Sequence, residues 1–303
     1  MDTDFILDRM QIDAAPFALC ELNGRCDLGL GQDSTATLHY VLAGEGEIVI
    51  PGQKTLPVAR GSVVVIPALR SHVLRSFGTR VQPVPECQPA GLNLVHLVHG
   101  SAAQSPEGGM VALCAHITLS LRDLGNVVDL VREPIVDDVI RNPDLAAPVE
   151  QILSEIAEPK LGSRAMIRAL LLQAMIGLMR HHMEQAGAGM SWMMALRDAR
   201  LWPVLAAMLE SPGQEHSLDS LATLSGMSRS SLAQRFADAY GAGPMELLRD
   251  LRMQKAADLL RNSEMPVKRI SAEVGFQSRT AFSRAFVAAT GQSPRSFRSQ
   301  SQD

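Results

Sequence analysis

One pattern occurs twice near the C-terminus: LDSLATLSGMSRSSLAQRFADAYG (Leu218–Gly241) and VKRISAEVGFQSRTAFSRAFVAATG (Val267–Gly291). Each copy contains a short helix with apolar periodicity, a glycine in the turn, an apolar residue, and a serine that opens a second helix. Glycine adopts the left-handed backbone that ends a helix, and serine is a preferred N-cap. Each copy therefore predicts a helix-turn-helix, and we call them the first and the second motif.

The spacing of the two motifs is fixed by a segment that predicts one long helix. The N-cap serines, Ser228 and Ser278, are 50 residues apart, and the segment between them predicts a helix from about Pro244 to Arg261. Helices of an ordinary α-helical bundle are the alternative interpretation. Repetition at one offset, followed by the terminal GQSPRSFR (residues 291–298), favours DNA binding over that alternative.

The block IxxxVGFxSxxxFxRxF (Ile270 to Phe286) and the GQSPRSFR that follows it resemble the AraC/XylS family of transcription regulators. The resemblance covers about residues 201–298. It implies that each motif places its second helix in the major groove of a double-stranded DNA operator. One protomer should then span two successive grooves on one face of the DNA, with a footprint of about twenty base pairs or more.

The charge distribution supports a DNA-binding C-terminal part. Residues 228–303 carry 12 Lys/Arg against 7 Asp/Glu, a net charge of +5, whereas the rest of the chain is at −9 and the whole chain at −4. A basic segment suits phosphate contact, because neutralised phosphates release counterions and supply most of the non-specific affinity.

Helix geometry selects the side chains that can contact DNA. The apolar residues of each second helix must face the core, so the others are available to the groove. These candidates are Arg229, Ser230, Ser231, Gln234 and Arg235 in the first motif, and Arg279, Thr280, Ser283 and Arg284 in the second.

Four of these candidates match the base-contacting positions of the family: Ser230, Gln234, Thr280 and Arg284. Arg and Gln can bond guanine and adenine edges bidentately. Contact with phosphates is the alternative for Arg229, Arg235 and Arg279. Many members of the family carry Lys or Arg directly after the phenylalanine that corresponds to Phe286, where this chain has Val287, so the resemblance does not carry that one phosphate contact over.

The N-terminal half predicts short strands separated by glycine and proline, which is typical of a sandwich or barrel. TLHYVLAGEGEIVIPG (residues 37–52) predicts two strands around a turn at Gly44–Gly46. The spacing G-x5-P-x4-H from Gly61 to His72 resembles the second motif of cupin barrels, and YVLAGEGEIVI resembles the end of the first. Cupin metalloenzymes place His and Glu ligands where Gln32, Ser34 and Thr37 fall here. We therefore expect a sensor and not an enzyme.

Within this half the chain resembles the redox-responsive cupin branch of AraC-like regulators. That branch carries a cysteine, two histidines and a later cysteine, which here are Cys20, His39, His72 and Cys114, with Ala115 in place of a glycine. Two thiolates and two imidazoles suit a tetrahedral zinc site or a thiol pair poised for oxidation. Burial as ordinary core residues is the alternative. The substitute candidates are Cys26, Cys87, His96, His99 and His116, with His116 first among them and Cys87 as a resolving thiol.

The segment between the halves turns helical and is rich in methionine. The helix within residues 163–184 has an apolar face broad enough for two neighbours, which favours either packing on the barrel or a symmetric homodimer. The predicted domains are a cupin-like sensor barrel (1–136), a helical dimerisation segment (137–186), a flexible linker (187–200) and a double helix-turn-helix DNA-binding domain (201–303).

Composition sets further limits on the protein class. The chain has 303 residues, 46% of them hydrophobic, and no run of eighteen apolar residues, and its N-terminus carries no evident signal peptide. We therefore expect a cytoplasmic protein without membrane contact. Four cysteines are too few for a disulfide scaffold, so thiols are their expected state.

The sequence thus predicts an α+β multidomain protein that acts as a sequence-specific transcription regulator. Its cupin domain would sense a redox, metal or small-molecule signal, with zinc as the candidate metal. The expected partners are operator DNA, a second copy of the chain, RNA polymerase, and an oxidant or small-molecule effector. The alternatives are a cupin metalloenzyme with a DNA-binding appendage and a constitutive architectural DNA binder.

Overall fold

The computed structural model describes residues 8–78, 88–89, 108–121, 126–184 and 195–299. Within them the N-terminal half is a β-barrel-like sheet and the rest is helical. The strands are β1 (Met10–Leu22), β2 (Asp27–Leu30), β3 (Ala36–Val49), β4 (Leu56–Ala59), β5 (Ser62–Ile66), β6 (His72–Ser76), β7 (Gln88–Pro89), β8 (Met110–Leu121) and β9 (Ile135–Asp138). The helices are α1 (Pro143–Ala157), α2 (Ser163–Glu184), α3 (Trp202–Glu210), α4 (Leu218–Ser225), α5 (Arg229–Tyr240), α6 (Pro244–Asn262), α7 (Val267–Glu273), α8 (Arg279–Thr290) and α9 (Pro294–Ser299).

Strand β3 organises the barrel, because it belongs to both of its sheets. Its first half pairs antiparallel with β5 and β8, and its second half pairs with β4 and β6. The prediction of two strands around a turn at Gly44–Gly46 is therefore wrong. Gly44 has a φ of 77° beside a register shift between Val41 and Ala43, and a Cβ on Gly46 would overlap the carbonyl oxygen of Arg75. The glycines bend one strand from sheet to sheet.

Helices α1 and α2 cover the outer face of the sheet. Helix α2 packs on α1 and on β1 and buries Ile167, Leu171 and Leu178, while Met166 stays exposed. For the apolar face of α2 the sequence offered two neighbours, the barrel or a second subunit. In the structure the barrel and α1 cover most of that face. None of the described helices is long and apolar enough to cross a membrane.

The predicted domain boundaries stay predictions. Strand β9 pairs with β5 and crosses the boundary placed at residue 136. Residues 187–194 of the predicted linker lie outside the described residues. Its last part is well packed, because Ala195 and Leu196 are fully buried in the core that α3 also joins.

The C-terminal part contains both predicted helix-turn-helix motifs, because local capping determines them. The hydroxyl of Ser228 accepts a hydrogen bond from the backbone N–H of Ser231, and Ser278 caps α8 in the same way. The turn glycines Gly226 and Gly275 have φ values of 64° and 78°, in the left-handed region. The long helix between the motifs ends at Asn262, one residue beyond its predicted end.

The loop before the first motif lies close to the second motif. Arg252 on α6 donates hydrogen bonds to the carbonyl oxygens of Pro212 (2.8 Å) and Gln214 (2.9 Å). Between them Gly213 lies so close to the end of α7 that a Cβ would overlap the carbonyl oxygen of Glu273. This contact fixes the relative placement of α4–α5 and α7–α8.

The barrel docks on the DNA-binding part through residues 127–132. The hydroxyl of Tyr240 donates a 2.6 Å hydrogen bond to the carbonyl oxygen of Leu130, and Arg132 forms an ion pair with Glu246 at 2.6 Å. Asp129 is buried here. Its burial and the charge of Asp258 raise the pKa of its carboxyl to about 8, although a hydrogen bond from Asn126 opposes the shift. Asp129 is therefore largely protonated at neutral pH.

We expect Gly213→Ala to disturb the spacing of the two motifs. Its methyl group must displace the backbone of α7, which we expect to destabilise the C-terminal part by about 1–3 kcal/mol and to weaken DNA binding about tenfold. Urea unfolding and fluorescence anisotropy with a duplex selected by the wild-type protein measure the two effects. Gly243→Ala is the control, because a Cβ there meets no atom within 4 Å. Equal behaviour of the two variants would contradict a fixed spacing.

We expect Asp129→Asn to flatten the pH dependence of stability. Because the folded pKa is raised, the folded state holds a proton that the unfolded state releases between about pH 4 and 8. The free energy of unfolding therefore falls as pH rises, by at most about 1.4 kcal/mol per pH unit.

Chemical unfolding at pH 4, 6 and 8 tests the role of Asp129. The Asn variant should match the wild type near pH 4 and exceed it increasingly towards pH 8. The exposed Asp219→Asn is the control and should follow the wild type. Parallel curves for the wild type and Asp129→Asn would show that Asp129 folds as a carboxylate.

Candidate DNA interface and buried cysteine–histidine cluster

The second helices of the two motifs, α5 and α8, expose the predicted DNA-contacting side chains. Each helix buries two apolar residues one turn apart, Leu232 and Phe236 in α5, and Phe282 and Phe286 in α8. Their opposite faces therefore point outwards. All nine candidates lie on these faces, with Ser283 partly buried and the other eight exposed.

The structure gives four of the candidates side-chain partners within the chain, among them Ser230, whose hydroxyl is 3.2 Å from that of Ser228. Arg235 is bound at 2.6 Å to Asp198, Arg229 lies 3.3 Å from Asp219, and the Gln234 amide donates to Asp238 at 2.8 Å. Asp198 is mostly buried. Burial opposes its ionisation, but hydrogen bonds from Arg235 and from the N–H groups of residues 200 and 201 lower the pKa of its carboxyl. The sequence carried no signal for this long-range pair.

Arg279 and Arg284 differ from Arg235, because neither forms a hydrogen bond or ion pair with another described residue. Thr280 and Arg284 lie one turn apart on the outer face of α8. The second motif therefore presents two guanidinium groups without a partner among the described residues, whereas both candidate arginines of the first motif, Arg229 and Arg235, pair with carboxylates of the chain.

The four predicted sensor residues lie together inside the barrel. They come from four strands, Cys20 from β1, His39 from β3, His72 from β6 and Cys114 from β8, and each is buried. His39 is the direct cross-strand partner of Cys114. The two cysteines belong to an apolar cluster that includes Leu22, Val41, Ile48, Ile66, Leu74 and Met110. Strand alternation and register thus bring distant residues into one dry interior.

The cluster is a row of polar contacts. The Cys20 and Cys114 sulfurs are 3.4 Å apart, and the Cys114 sulfur is 3.0 Å from His39 Nδ1. His39 Nε2 is 2.7 Å from His72 Nε2, and His72 Nδ1 is 3.1 Å from the carbonyl oxygen of Arg70.

The Arg70 carbonyl determines the proton positions along this row. A carbonyl only accepts, so His72 Nδ1 carries a proton and donates it. In the neutral ring His72 Nε2 then accepts from His39 Nε2–H, which leaves His39 Nδ1 to accept from the Cys114 thiol. Every buried group in the row is thereby satisfied.

Burial keeps this row uncharged. Burial, with contributions from the neighbouring histidines, lowers the pKa of His39 well below its usual value, and burial also lowers the pKa of His72. Burial raises the pKa of the Cys114 thiol to about 12. At neutral pH Cys114 is therefore a thiol that needs a base to become reactive, and His39 Nδ1 is the base in contact with it.

The arrangement does not fit a metal ion as it stands. His39 directs one ring nitrogen to Cys114 and the other to His72, so the donors follow a line and do not surround one point. Cys20 is disulfide-bonded, so the expectation that the cysteines are thiols is wrong for this residue, whereas Cys114 and Cys26 form no disulfide. Among the described residues no group of three or more His, Cys, Asp or Glu is placed to hold a metal.

The substitute candidates lie elsewhere. His116 contacts the carboxylate of Asp33 at 3.7 Å, and its Nδ1 is buried without a hydrogen-bond partner among the described residues. Cys26 is buried in the same apolar cluster as Cys20 and Cys114, but it makes no contact in the row. Cys87, His96 and His99 lie outside the described residues.

Comparison with known proteins agrees with both halves of the chain. A helix-turn-helix domain model matches residues 221–300, and a cupin model matches residues 4–184, more than half of the chain. The HTH-type transcriptional regulator AlkR of Acinetobacter baylyi is 36% identical over 98% of this chain and 98% of its own length. The RCS-specific HTH-type transcriptional activator RclR of Escherichia coli is 28% identical, over 89% of this chain and 86% of its own.

A solved structure shows the same fold at low identity. ToxT from Vibrio cholerae, in a crystal structure with a bound unsaturated fatty acid, has a TM-score of 0.51 at 10% identity and covers 94% of this chain and 95% of its own. At that identity it supports the fold alone. The paired motifs, the cupin half and a relative similar over nearly the full length show that the chain belongs to the AraC/XylS family, as a sequence-specific DNA-binding transcription regulator with a cupin-type N-terminal domain.

Proposed function

We propose that this regulator responds to oxidants through Cys20 and Cys114, and that the oxidation state of the cluster sets its affinity for DNA. The observation that carries the proposal is the 3.4 Å separation of the two sulfurs, with Cys114 hydrogen-bonded to His39. A thiol held beside a disulfide sulfur and a neutral imidazole base is arranged for thiol–disulfide chemistry.

The redox step needs an external two-electron oxidant of the peroxide class. The disulfide of Cys20 forms when the peroxide takes two electrons and two protons from the thiols of Cys20 and its partner cysteine, so that the O–O bond breaks and water is released. Cys114 remains a thiol in that state, and it would join by exchange: its proton passes to His39, its sulfur bonds to that of Cys20, and the partner cysteine leaves as a thiol. A dithiol reverses the step and returns Cys20 to the thiol form beside Cys114. Because Cys20 is disulfide-bonded here, the described state corresponds to the oxidised one. Zinc binding by the reduced cluster stays a prediction of the sequence, and no step of the proposal uses it.

A small organic effector within the sensor is less well supported. The apolar cavity between the sheet and helices α1 and α2, lined by residues such as Tyr40, Leu113 and Leu171, has a volume of about 60 Å³. That is less than half of the roughly 150 Å³ that accommodates benzene in an engineered protein cavity. The similar proteins point to two different kinds of signal. The relative RclR is named RCS-specific, and the structural neighbour ToxT was crystallised with an unsaturated fatty acid. The size of this cavity argues against an organic effector there, whereas a cleft of about 720 Å³ beside Gly46, Pro57 and His181 is large enough for one.

For the DNA interface we propose that the four family positions, Ser230, Gln234, Thr280 and Arg284, contact bases. Arg229 and Arg279 are then the phosphate contacts of the two motifs. Arg235 has a different part, because its ion pair with the mostly buried Asp198 fixes α5 against the segment before α3. The homodimer, the contact with RNA polymerase and the cytoplasmic location stay predictions of the sequence.

We expect Arg284→Ala and Arg279→Ala to differ in kind. Loss of a bidentate base contact costs about 1–3 kcal/mol and relaxes specificity at one base pair, whereas loss of a phosphate contact weakens all sequences alike and reduces the salt dependence by about one unit of slope. Anisotropy titrations with a selected duplex and its single-base variants, from 50 to 200 mM salt, separate the two. A uniform loss across sequences for Arg284→Ala would refute the base contact.

We expect the affinity of the wild-type protein for DNA to differ at least about tenfold, or about 1.4 kcal/mol, between dithiothreitol and hydrogen peroxide. Cys20→Ser and Cys114→Ser should remove the difference. Cys26→Ser is the matched control that should keep it, because Cys26 is a buried cysteine that forms no disulfide and lies outside the row. Metal analysis of the reduced proteins runs alongside. About one equivalent of zinc, lost in both cluster variants, would support the zinc prediction.

The opposite outcome is equally informative. If the wild-type protein binds DNA equally well in reductant and oxidant, the cysteines are core residues, and the effector is an organic ligand bound elsewhere in the protein.

A further inference from the structure

The turn between β5 and β6, residues 67–71, contains an unusual backbone conformation. Leu69 has a φ of 61°, and it is the one non-glycine residue with a positive φ among the described residues. The left-handed region favours glycine, so a leucine stays there only where its surroundings hold it. The conformation therefore points to a contact made by this side chain.

The side chain of Leu69 is buried in the DNA-binding part and not in the barrel. Only 8% of the residue is exposed. It belongs to a hydrophobic cluster whose other buried members all come from α6 to α9 or the turn after α7: Met253, Ala256, Ala257, Leu260, Ile270, Val274, Phe282, Phe286 and Phe297. A turn of the sensor thus contributes one side chain to the core of the second motif.

Polar contacts hold the same corner of the barrel to α6. The backbone N–H of Leu69 donates to the carbonyl oxygen of Asp33 at 2.8 Å. Arg261 on α6 donates to the Asp33 carboxylate at 2.6 Å and to the carbonyl oxygen of Gln32. Asp33 therefore connects the turn and the long helix through two different groups.

The turn is also joined to the buried cysteine–histidine cluster. His72 follows Leu69 by three residues, and its Nδ1 donates to the carbonyl oxygen of Arg70, inside the turn. The other nitrogen of His72 contacts His39, which contacts Cys114. Few contacts separate the Cys114 sulfur from the Leu69 side chain, and each is a hydrogen bond or a covalent link.

The contact area around Leu69 is narrow. A cleft of about 390 Å³ opens beside it, between Arg70 on the barrel and Arg249, Ala285 and Ala288 on the DNA-binding part. The second motif is thus not packed broadly against the barrel at this point. A small change in the turn can alter the placement of α8 without opening a large interface.

We propose that the turn at residues 67–71 is the surface through which the barrel positions the second motif, and that Leu69 is the positioning residue. It acts through Phe282 and Phe286, which share its cluster and lie on the same helix as Thr280 and Arg284. What moves the turn rests on the proposed redox function; the contact itself does not.

Three variants of the full-length protein test this role. Leu69→Ala removes most of the inserted side chain. Leu69→Gly also removes it but relieves the left-handed backbone, so it folds even if the alanine variant does not. Leu69→Met retains the bulk and is the matched control. Leu28→Ala, a buried barrel residue outside this contact, controls for a general loss of stability.

Hydrogen exchange is the readout that does not depend on redox chemistry. In Leu69→Ala and Leu69→Gly we expect exchange in residues 253–260 and 282–286 to rise about tenfold, with no such rise in Leu69→Met or Leu28→Ala. Exchange in these segments that is unchanged in the first two variants would overturn the contact.

DNA affinity in dithiothreitol and in hydrogen peroxide is the second readout. If the wild type responds, the DNA affinity of Leu69→Ala and of Leu69→Gly should differ by less than about twofold between the two conditions. Thiol titration in unfolded protein should give the same number of thiols in each condition as in the wild type, which shows that the cysteines still react. A full response in both variants would overturn the positioning role. If the wild type itself does not respond, the redox function fails, and the exchange data still decide whether Leu69 holds the second motif.

Discussion

A row of hydrogen bonds in a dry interior is the interaction on which the sensor half depends. It runs from the Cys114 thiol through His39 and His72 to the carbonyl oxygen of Arg70, and every donor in it has one acceptor. In an interior of low dielectric an unpaired polar group costs about 1–3 kcal/mol, so the row is stable only while it is complete. Loss of the Cys114 proton therefore removes the hydrogen bond that His39 Nδ1 accepts, and it disturbs the row that ends in the hydrogen bond from His72 to the Arg70 carbonyl. The sulfur chemistry and the position of a surface turn become properties of one network.

The contacts that join barrel and DNA-binding part are few and of unequal strength. The ion pairs Arg132–Glu246 and Arg261–Asp33 are partly exposed, and pairs of that kind contribute about 0–1 kcal/mol. The buried hydroxyl of Tyr240 and the inserted side chain of Leu69 contribute more. Separation of the halves would break the hydrogen bond of Tyr240 to the Leu130 carbonyl, and it would leave a cavity where Leu69 packs. For a leucine, the left-handed backbone costs about 1–2 kcal/mol. The backbone cost thus offsets part of the free energy gained by burying Leu69. The contact between the second motif and the barrel is therefore only weakly stabilised.

What the sequence could predict follows from the range of the interactions involved. Both helix-turn-helix motifs were predictable because serine caps and turn glycines act within a few residues, and the long helix was placed to within one residue. The meeting of Cys20, His39, His72 and Cys114 came from a family resemblance and strand alternation. The single strand β3 was mispredicted as two strands. Glycines such as Gly44 and Gly46 occur both in turns and where a strand bends or lies close to another backbone, and the sequence does not distinguish these cases. The Arg235–Asp198 pair and the insertion of Leu69 depend on residues 37 or more positions away, and no local pattern carries that information.

The close approach at Gly213 limits what any signal from the barrel can do to the two motifs. Arg252 ties α6 to the backbone around Gly213, and that backbone lies against the end of α7, so the two motifs have no free space in which to slide past each other. Close-packed elements of this kind move as one body. A change at Leu69 would therefore tilt the pair of motifs relative to the barrel and leave their mutual spacing intact. The resemblance predicts that the two motifs enter successive grooves, and with a constant spacing such a regulator would alter how firmly it presents its two helices to DNA while the sequence that it recognises stays the same.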